Sequence, residues 1–381
     1  MFQPSTLVRV FNVLYFAILA MFLPFLPVYF NKQGLSPSQI GMIVGTGGIV
    51  TLFAQPLWGM ISDKTKTIRK VLLVLLAASA VTGYWLYATG GYTTLIVISM
   101  LVYFFVMPID PLTESLNFRI AESAGISYGS IRTYGALGYA LMSLIAGQVM
   151  TSFGAHSLAP LFAGVGLLAL LVCWRMPDAP VSGEPVTLAS LKTFLRNKQT
   201  LLFLLLVFIS SVPARMNDTF LGLYVQELGG EPNLVGLAWF LAAGSEIVIF
   251  ALSYRWLKPG KELLLITLAG AFYLLRFLLS AWIKDPHGLV YLQLLQLLTF
   301  PVFYSAAIQY LYSIVPPEWR ATGQTVLALL FFGVSGIIAS YAGGAIYDAF
   351  GGQVLYLVLS GLSLAGALFG GALFMKYGRH G

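Results

Sequence analysis

Seven ionisable residues stand inside stretches of otherwise apolar sequence: Asp110, Glu114, Arg132, Arg215, Asp218, Glu246 and Arg276. Four carboxylates against three arginines can form ion pairs and still leave one acid without a full partner. Asp110, Glu114 and Asn117 recur at i, i+4 and i+7, which places them on one helical face. Glu114 and Arg132 fall at similar depth on successive antiparallel helices, so an ion pair between them is expected. Arg215 and Asp218 lie three apart and can pair within one helix. Glu246 has no local partner and is the first candidate to carry a proton, with Asp110 second; Glu114 and Asp218 complete the acidic set. The groups available to hold a polar solute are Asn12, Tyr15, Arg132, Tyr139, Arg215, Asn217, Arg276 and Gln296. Tyr139, seven residues after Arg132, shares nearly the same face and could stack on a ring, although packing is the commoner fate of such a tyrosine. The bland alternative for the whole set is a static salt-bridge network that includes Arg119.

The elements that position these residues are membrane helices. The 381-residue chain is 58% hydrophobic and 9% charged, against about 45–50% apolar and about 25% charged in soluble domains. Apolar runs fall at 7–31, 37–61, 69–90, 92–121, 128–153, 157–176, 199–228, 232–256, 262–283, 286–315, 318–350 and 353–377. They are numbered here as helices 1 to 12, each long enough for the roughly 20 residues a crossing needs. The first is read as a retained helix, bent near its outer end by Pro24 and Pro27. An ionisable group at mid-membrane costs about 2.5–3.5 kcal/mol, so the seven are expected to pair or to face a watery cavity.

The predicted organisation is a six-helix half over 1–176, a linker over 177–198 containing Pro177, Pro180, Gly183 and Pro185, and a second half over 199–381. The halves repeat. Tyr29, Gly34, Pro37 and Gly41 match Tyr224, Gly229, Pro232 and Gly236 at an offset of 195, and the stretch from Gly147 to Gly154 matches that from Gly344 to Gly351 at 197. With the amino terminus inside, seventeen of the 21 basic residues, from Arg9, Lys64 and Lys66 to Lys376 and Arg379, lie at cytoplasmic ends. Only Lys32 and Lys284 face out. The positive-inside rule then puts both termini in the cytoplasm of a multi-pass protein of the cytoplasmic membrane. The net charge of +7 is thereby explained by topology, and no nucleic-acid partner is expected.

Enzyme chemistry has no footing. The one cysteine, Cys173, reads as a packing residue near a helix end, and His156, His287 and His380 fall in loops or the tail. No nucleophile with its base, no metal cluster and no cofactor loop is present, so no cofactor is expected. Gly45-Thr46-Gly47-Gly48 lies within helix 2 and reads as close helix packing.

The loop after helix 2, Gly59-Met60-Ile61-Ser62-Asp63-Lys64 followed by Arg69-Lys70, resembles the cytoplasmic loop signature of the major facilitator superfamily, with Lys66 or Thr67 where a glycine is usual. That resemblance implies an all-α membrane fold of twelve helices in two pseudo-symmetric bundles. Apart from the resemblance, Asp63 at a helix end, with Lys64, Arg69 and Lys70 holding it on the cytoplasmic side, reads either as a topology anchor only or as a gating latch formed in the outward-open state. Glu114, Arg132, Glu246 and Arg276 match by position the oligosaccharide, nucleoside and phenylpropionate symporter branch, which includes lactose permease. The stretches Tyr128 to Gly138 and Pro316 to Gln324 look like the same branch. The histidine and glutamate that lactose permease uses in helix 10 are absent, Gln296 being the nearest polar residue, which argues against β-galactoside specificity. The resemblance implies a proton-coupled symporter importing a small polar solute or organic acid by alternating access, sufficient as a monomer in the bilayer. The chief rival is a drug and proton antiporter; helix 5 lacks the proline of that group's motif. A channel or membrane sensor would show no coupling of flux to pH.

Overall fold

The computed structural model describes residues 4–178, 197–316 and 319–378. Helices 1 to 10 are Ser5–Lys32, Pro37–Thr65, Ile68–Ala88, Tyr92–Ala124, Tyr128–Phe153, Ala155–Arg175, Lys198–Glu227, Pro232–Ala251, Glu262–Trp282 and Pro286–Ile314. The remaining apolar helix, Thr322–Tyr377, has 56 residues, more than twice what one crossing requires. Gly351 divides it with φ 80° and ψ 173°, a conformation that glycine adopts at little cost. Helices 11 and 12 are therefore 322–350 and 352–377, and the chain crosses twelve times as expected. Pro180, Gly183, Pro185, Lys192 and Arg196 of the predicted linker lie outside the described residues, as do Pro317, Glu318, Arg379 and His380.

Local chemistry sets the helix ends and breaks. Ser36 and Gln39 form a reciprocal capping box at the start of helix 2, with Pro37 at its first turn, satisfying amides that the helix itself cannot. Helix 1 breaks between Phe22 and Phe25, where Pro24 was expected to bend it. Helix 4, by contrast, is not one run over 92–121: it breaks at Met107 and Pro108, leaving Tyr92–Val106 and Ile109–Ala124. Pro111 has no N–H to give the Met107 carbonyl, and Gln55 Nε2 donates to that oxygen instead at 3.2 Å. Helix 8 also stops short of its predicted end, at Ala251, before a separate turn over Ser253–Trp256. His287 sits not in a loop but in the first turn of the helical segment Pro286–Tyr291.

Helix 1 packs on helices 5 and 6, and helix 3 on helix 6; helices 7 and 9 pack on the paired helices 11 and 12 in the second half. The halves meet along helix 2 against helix 11 and helix 5 against helix 8. The first and last described residues, Pro4 and Gly378, lie on one face of the bundle, hereafter the terminal face. Near the opposite face the two contacts are backbone to backbone. A Cβ on Gly344 would meet the Pro37 carbonyl at 2.7 Å and Gly41 Cα at 3.2 Å, and one on Gly147 would meet the Pro232 carbonyl at 2.7 Å and Gly236 Cα at 3.1 Å. These are the glycines of the two repeat blocks. Asn31 Nδ2 donates to Gln226 Oε1 at 3.0 Å across the same end. Further along, Gly45 faces Tyr341, Gly48 faces Ile337 and Gly333 faces Leu52, while Gly59 near the terminal face has open space around it. The halves are thus closed against each other at the opposite face, and the close glycine contacts thin out along helix 2 toward the terminal face.

Helix 3 shows how the terminal face is tied. Asp178, beyond helix 6, accepts from the amides of Ile68 and Arg69 at 3.1 Å each and from the Thr67 hydroxyl. Arg69 Nη1 donates to the Met176 carbonyl at 2.9 Å, and Cys173 is fully buried nearby. A carboxylate at a helix N-terminus caps free amides and complements the helix dipole. Asp178→Ala is expected to lower stability by about 1–2 kcal/mol, read as a lower Tm of the detergent-purified protein, with Asp178→Asn recovering part of the loss.

Candidate functional site

Two charged clusters stand one in each half. In the first half the second segment of helix 4 carries Asp110, Glu114 and Asn117 on one face, and helices 1 and 5 complete the cluster. Arg132 Nε lies 2.8 Å from Glu114 Oε1, and the two side chains are 39% and 26% exposed. Tyr128 donates its hydroxyl to the other oxygen of Glu114. The Arg132 guanidinium lies 4.1 Å from the centre of the Phe16 ring, a cation–π contact that orients its charge. Tyr15, fully buried, has a hydroxyl with no bonding partner and lies within electrostatic reach of Asp110, Glu114 and Arg132.

Asn12 and Asn117 take a different part from solute binding in this conformation. They exchange reciprocal amide bonds of 2.7 and 2.9 Å, and Asn12 also donates to the Val8 carbonyl. Both are fully buried, so they tie helix 1 to helix 4. Asn217 is likewise buried and accepts from the Tyr356 hydroxyl at 3.0 Å.

In the second half Arg215 and Asp218 pair at 2.7 Å, as their spacing allows. The Arg215 guanidinium also stands 5.1 Å from the ring centres of both Phe331 and Phe332. Two successive residues can cover one cation here because helix 11 is wound as a π-helix over Leu329–Val334; such turns recur at functional sites. Nothing in the apolar periodicity marks that turn, and the two phenylalanines escape a reading based on charges. Glu246 of helix 8 accepts from Gln296 Nε2 at 2.8 Å. Gln296 Oε1 in turn accepts from Arg276, whose other arm donates to Gln293. Arg276 is only 2% exposed, so this arginine faces a polar wall of helix 10 and not the open space. Tyr139 packs on Trp239 across the halves at 6.3 Å and lies in electrostatic reach of Arg215, Asp218 and Glu246.

Among the described residues, Glu114 and Asp218 have arginine partners, whereas Glu246 and Asp110 have none. The gating-loop residues stand apart from both clusters. Asp63 and Lys64 are exposed, and among the described residues Asp63 makes no ion pair. Lys66, one of the two residues standing where the superfamily favours glycine, is among the described residues the one non-glycine with positive φ, 53°, the left-handed geometry a glycine would adopt without strain. Gln309, a further polar residue of helix 10, donates to Glu262 at 2.9 Å and stitches helices 9 and 10.

The MFS_1 like family model matches residues 6–358. The chain belongs to that family. It is 29% identical to the maltose permease of Geobacillus stearothermophilus over 361 residues, covering 93% of this chain and 91% of that one. It is 26% identical over 352 residues to a protein of Escherichia coli named "Probable 3-phenylpropionic acid transporter", covering 90% and 91%. In fold it superposes on the crystal structure of the nucleoside transporter NupG with a TM-score of 0.87 at 16% identity, covering 98% of this chain and 99% of that one. The MFS_1-like chain is therefore a secondary transporter and not an enzyme, and its helices are those of a multi-pass membrane protein.

Proposed function

We propose that this protein is a proton-coupled symporter that imports a small polar solute or organic acid across the cytoplasmic membrane, working as a monomer with both termini in the cytoplasm. One observation carries the reading. Glu246 sits against a neutral amide, while each neighbouring arginine is engaged elsewhere, Arg215 by Asp218 and Arg276 by two glutamines. A carboxylate without an ion-pair partner at membrane depth can take and release a proton, which a paired one resists. Positive residues on the terminal face support a cytoplasmic assignment for it, and this conformation is then inward-facing.

Solute recognition falls to Arg132, Arg215 and the rings beside them. An arginine backed by aromatic faces suits a carboxylate or a hydroxyl-rich ring, the chemistry shared by sugars, nucleosides and aromatic acids. Gln296 and Arg276 are reached only if helix 10 moves. The test is uptake by the purified protein in liposomes with an alkaline interior, across a panel of sugars, nucleosides and aromatic acids. Accumulation that collapses when the pH gradient is dissipated supports symport; uptake indifferent to the gradient, or extrusion driven by it, defeats the reading.

Arg215→Ala separates the solute classes. Losing a desolvated charge partner costs about 2 kcal/mol or more, or roughly thirtyfold, for an anionic solute. The unpaired Asp218 left behind affects every solute alike, so a neutral solute should weaken far less. Equal losses for both would argue against an organic acid.

A further inference from the structure

Helix 10 changes its winding at the point where it meets Arg276. Leu292–Leu298 is a 3₁₀ helix of seven residues, longer than the three or four such runs usually reach. Its sequence, Leu-Gln-Leu-Leu-Gln-Leu-Leu, consists entirely of strong α-helix formers. Something other than local preference holds it. At three residues per turn, side chains three apart eclipse one another, so Gln293, Gln296 and Thr299 form a single row. All three turn to Arg276: Gln293 and Gln296 accept from its two arms, and Thr299 Oγ1 lies 3.5 Å from Nη1. In an α-helix the same residues would fan out by about 60° at each step, and no one guanidinium could meet them all. Thr299, at φ −107° and ψ −94°, marks where the chain leaves the tighter winding before the α-helix Phe300–Ile314 resumes.

The row also separates two opposite charges. Gln296 stands between Arg276 and Glu246, accepting from the one and donating to the other. The other charged groups in reach of Glu246 are Arg215 and Asp218, which bind each other. We infer that Leu292–Leu298 is a winding switch. It is 3₁₀ while Arg276 is held by the row, and it becomes α-helical when rotation withdraws Gln296 and passes Arg276 to Glu246. Rewinding turns each residue by about 20° relative to the last and shortens the segment by about 0.5 Å per residue. Gln293 and Gln296 are then positioning residues: while the row holds Arg276 the Glu246 carboxylate has no arginine partner, and withdrawal of Gln296 gives it one. The inference stands on helix geometry and does not depend on the direction in which a proton moves.

Nitroxide pairs report the winding directly. Positions Leu294, Leu297 and Leu298 lie in the segment and outside the row, and the sole native thiol, Cys173, is buried. In the 3₁₀ form the 294/297 pair eclipses and is markedly closer than 294/298; in the α form that difference closes. In lipid nanodiscs the otherwise unaltered protein is expected to show the first pattern. Gln296→Leu, which breaks the row, and Gly41→Trp, which obstructs closure at the opposite face, should each give the second. Adding Glu246→Gln to Gly41→Trp removes the destination of Arg276 and should restore the first. The first pattern persisting in Gln296→Leu or in Gly41→Trp, or the second in the double variant, overturns the switch. These couplings need neither solute nor pH gradient, so a Glu246→Gln protein that still accumulates solute would defeat the symport reading while leaving the winding result intact.

Discussion

Glu246→Gln abolishes uphill accumulation driven by a pH gradient and leaves solute exchange in place. One pH unit is worth about 1.4 kcal/mol per proton, which sustains roughly a tenfold solute gradient at one proton per solute. Glutamine keeps the size of the side chain and an oxygen to accept from Gln296, now at 2.8 Å from the carboxylate, but it cannot bind a proton. Without that step the two halves still rock with solute bound, so exchange between labelled and unlabelled pools continues while the accumulation ratio falls to about one. Asp110→Asn is the comparison, since Asp110 also lacks an ion pair; a larger loss there than at Glu246 would transfer the proton to the first half. Unchanged accumulation in Glu246→Gln sinks the assignment.

A bulky residue at Gly41 forces the closed face open. A Cβ there would fall inside the Ser340 carbonyl and 3.1 Å from Gly344 Cα. Both are backbone atoms of helix 11 that cannot swing aside as a side chain could. Overpacking of this kind costs about 1–3 kcal/mol. Because that cost is borne only while the halves are closed at this end, it shifts the equilibrium between conformations by roughly 5–150-fold. The readout is labelling of Val28→Cys, a fully buried position beside Gly222, by a membrane-impermeant maleimide. Gly41→Trp should raise the labelling rate severalfold, and Gly236→Trp, its counterpart on helix 8, should do the same. Gly59→Ala, where a Cβ meets nothing within 4 Å, should leave it unchanged. Equal labelling in all four proteins would mean that the glycine contacts do not hold this end.

Most of the architecture was written in the alternation of apolar and polar segments, because lipid allows few ways to bury a backbone. The twelve crossings, the bend at Pro24 and the dividing Gly351 follow from that rule and from proline and glycine chemistry. Charge spacing likewise anticipated the pairs Glu114 with Arg132 and Arg215 with Asp218. What escaped the sequence depends on departures from ideal winding. The π-turn that brings Phe331 and Phe332 to one arginine, and the 3₁₀ run that lines up Gln293, Gln296 and Thr299, are tertiary effects imposed on residues with ordinary helix preferences. Pro111 and Gln55 are the instructive middle case: the proline announces an orphan carbonyl, but only the fold shows which helix satisfies it. Asp178 was lost in the same way, since a cap contributed from beyond helix 6 leaves no local signature at helix 3.

The contact between Asn31 and Gln226 joins two positions separated by 195 residues, the same interval that relates the first repeat block to its copy. Each residue therefore touches its own equivalent, which places the pair beside the pseudo-two-fold axis. Before duplication, in a parent of six helices that paired with a second copy of itself, this position would have met itself across the dyad. A carboxylate or an ammonium there would repel its twin, whereas a carboxamide both donates and accepts and can bond to an identical partner. Two amides at this site are what such a self-meeting ancestor would leave behind, and the later freedom of each copy to change shows only in the extra methylene that distinguishes Gln226 from Asn31.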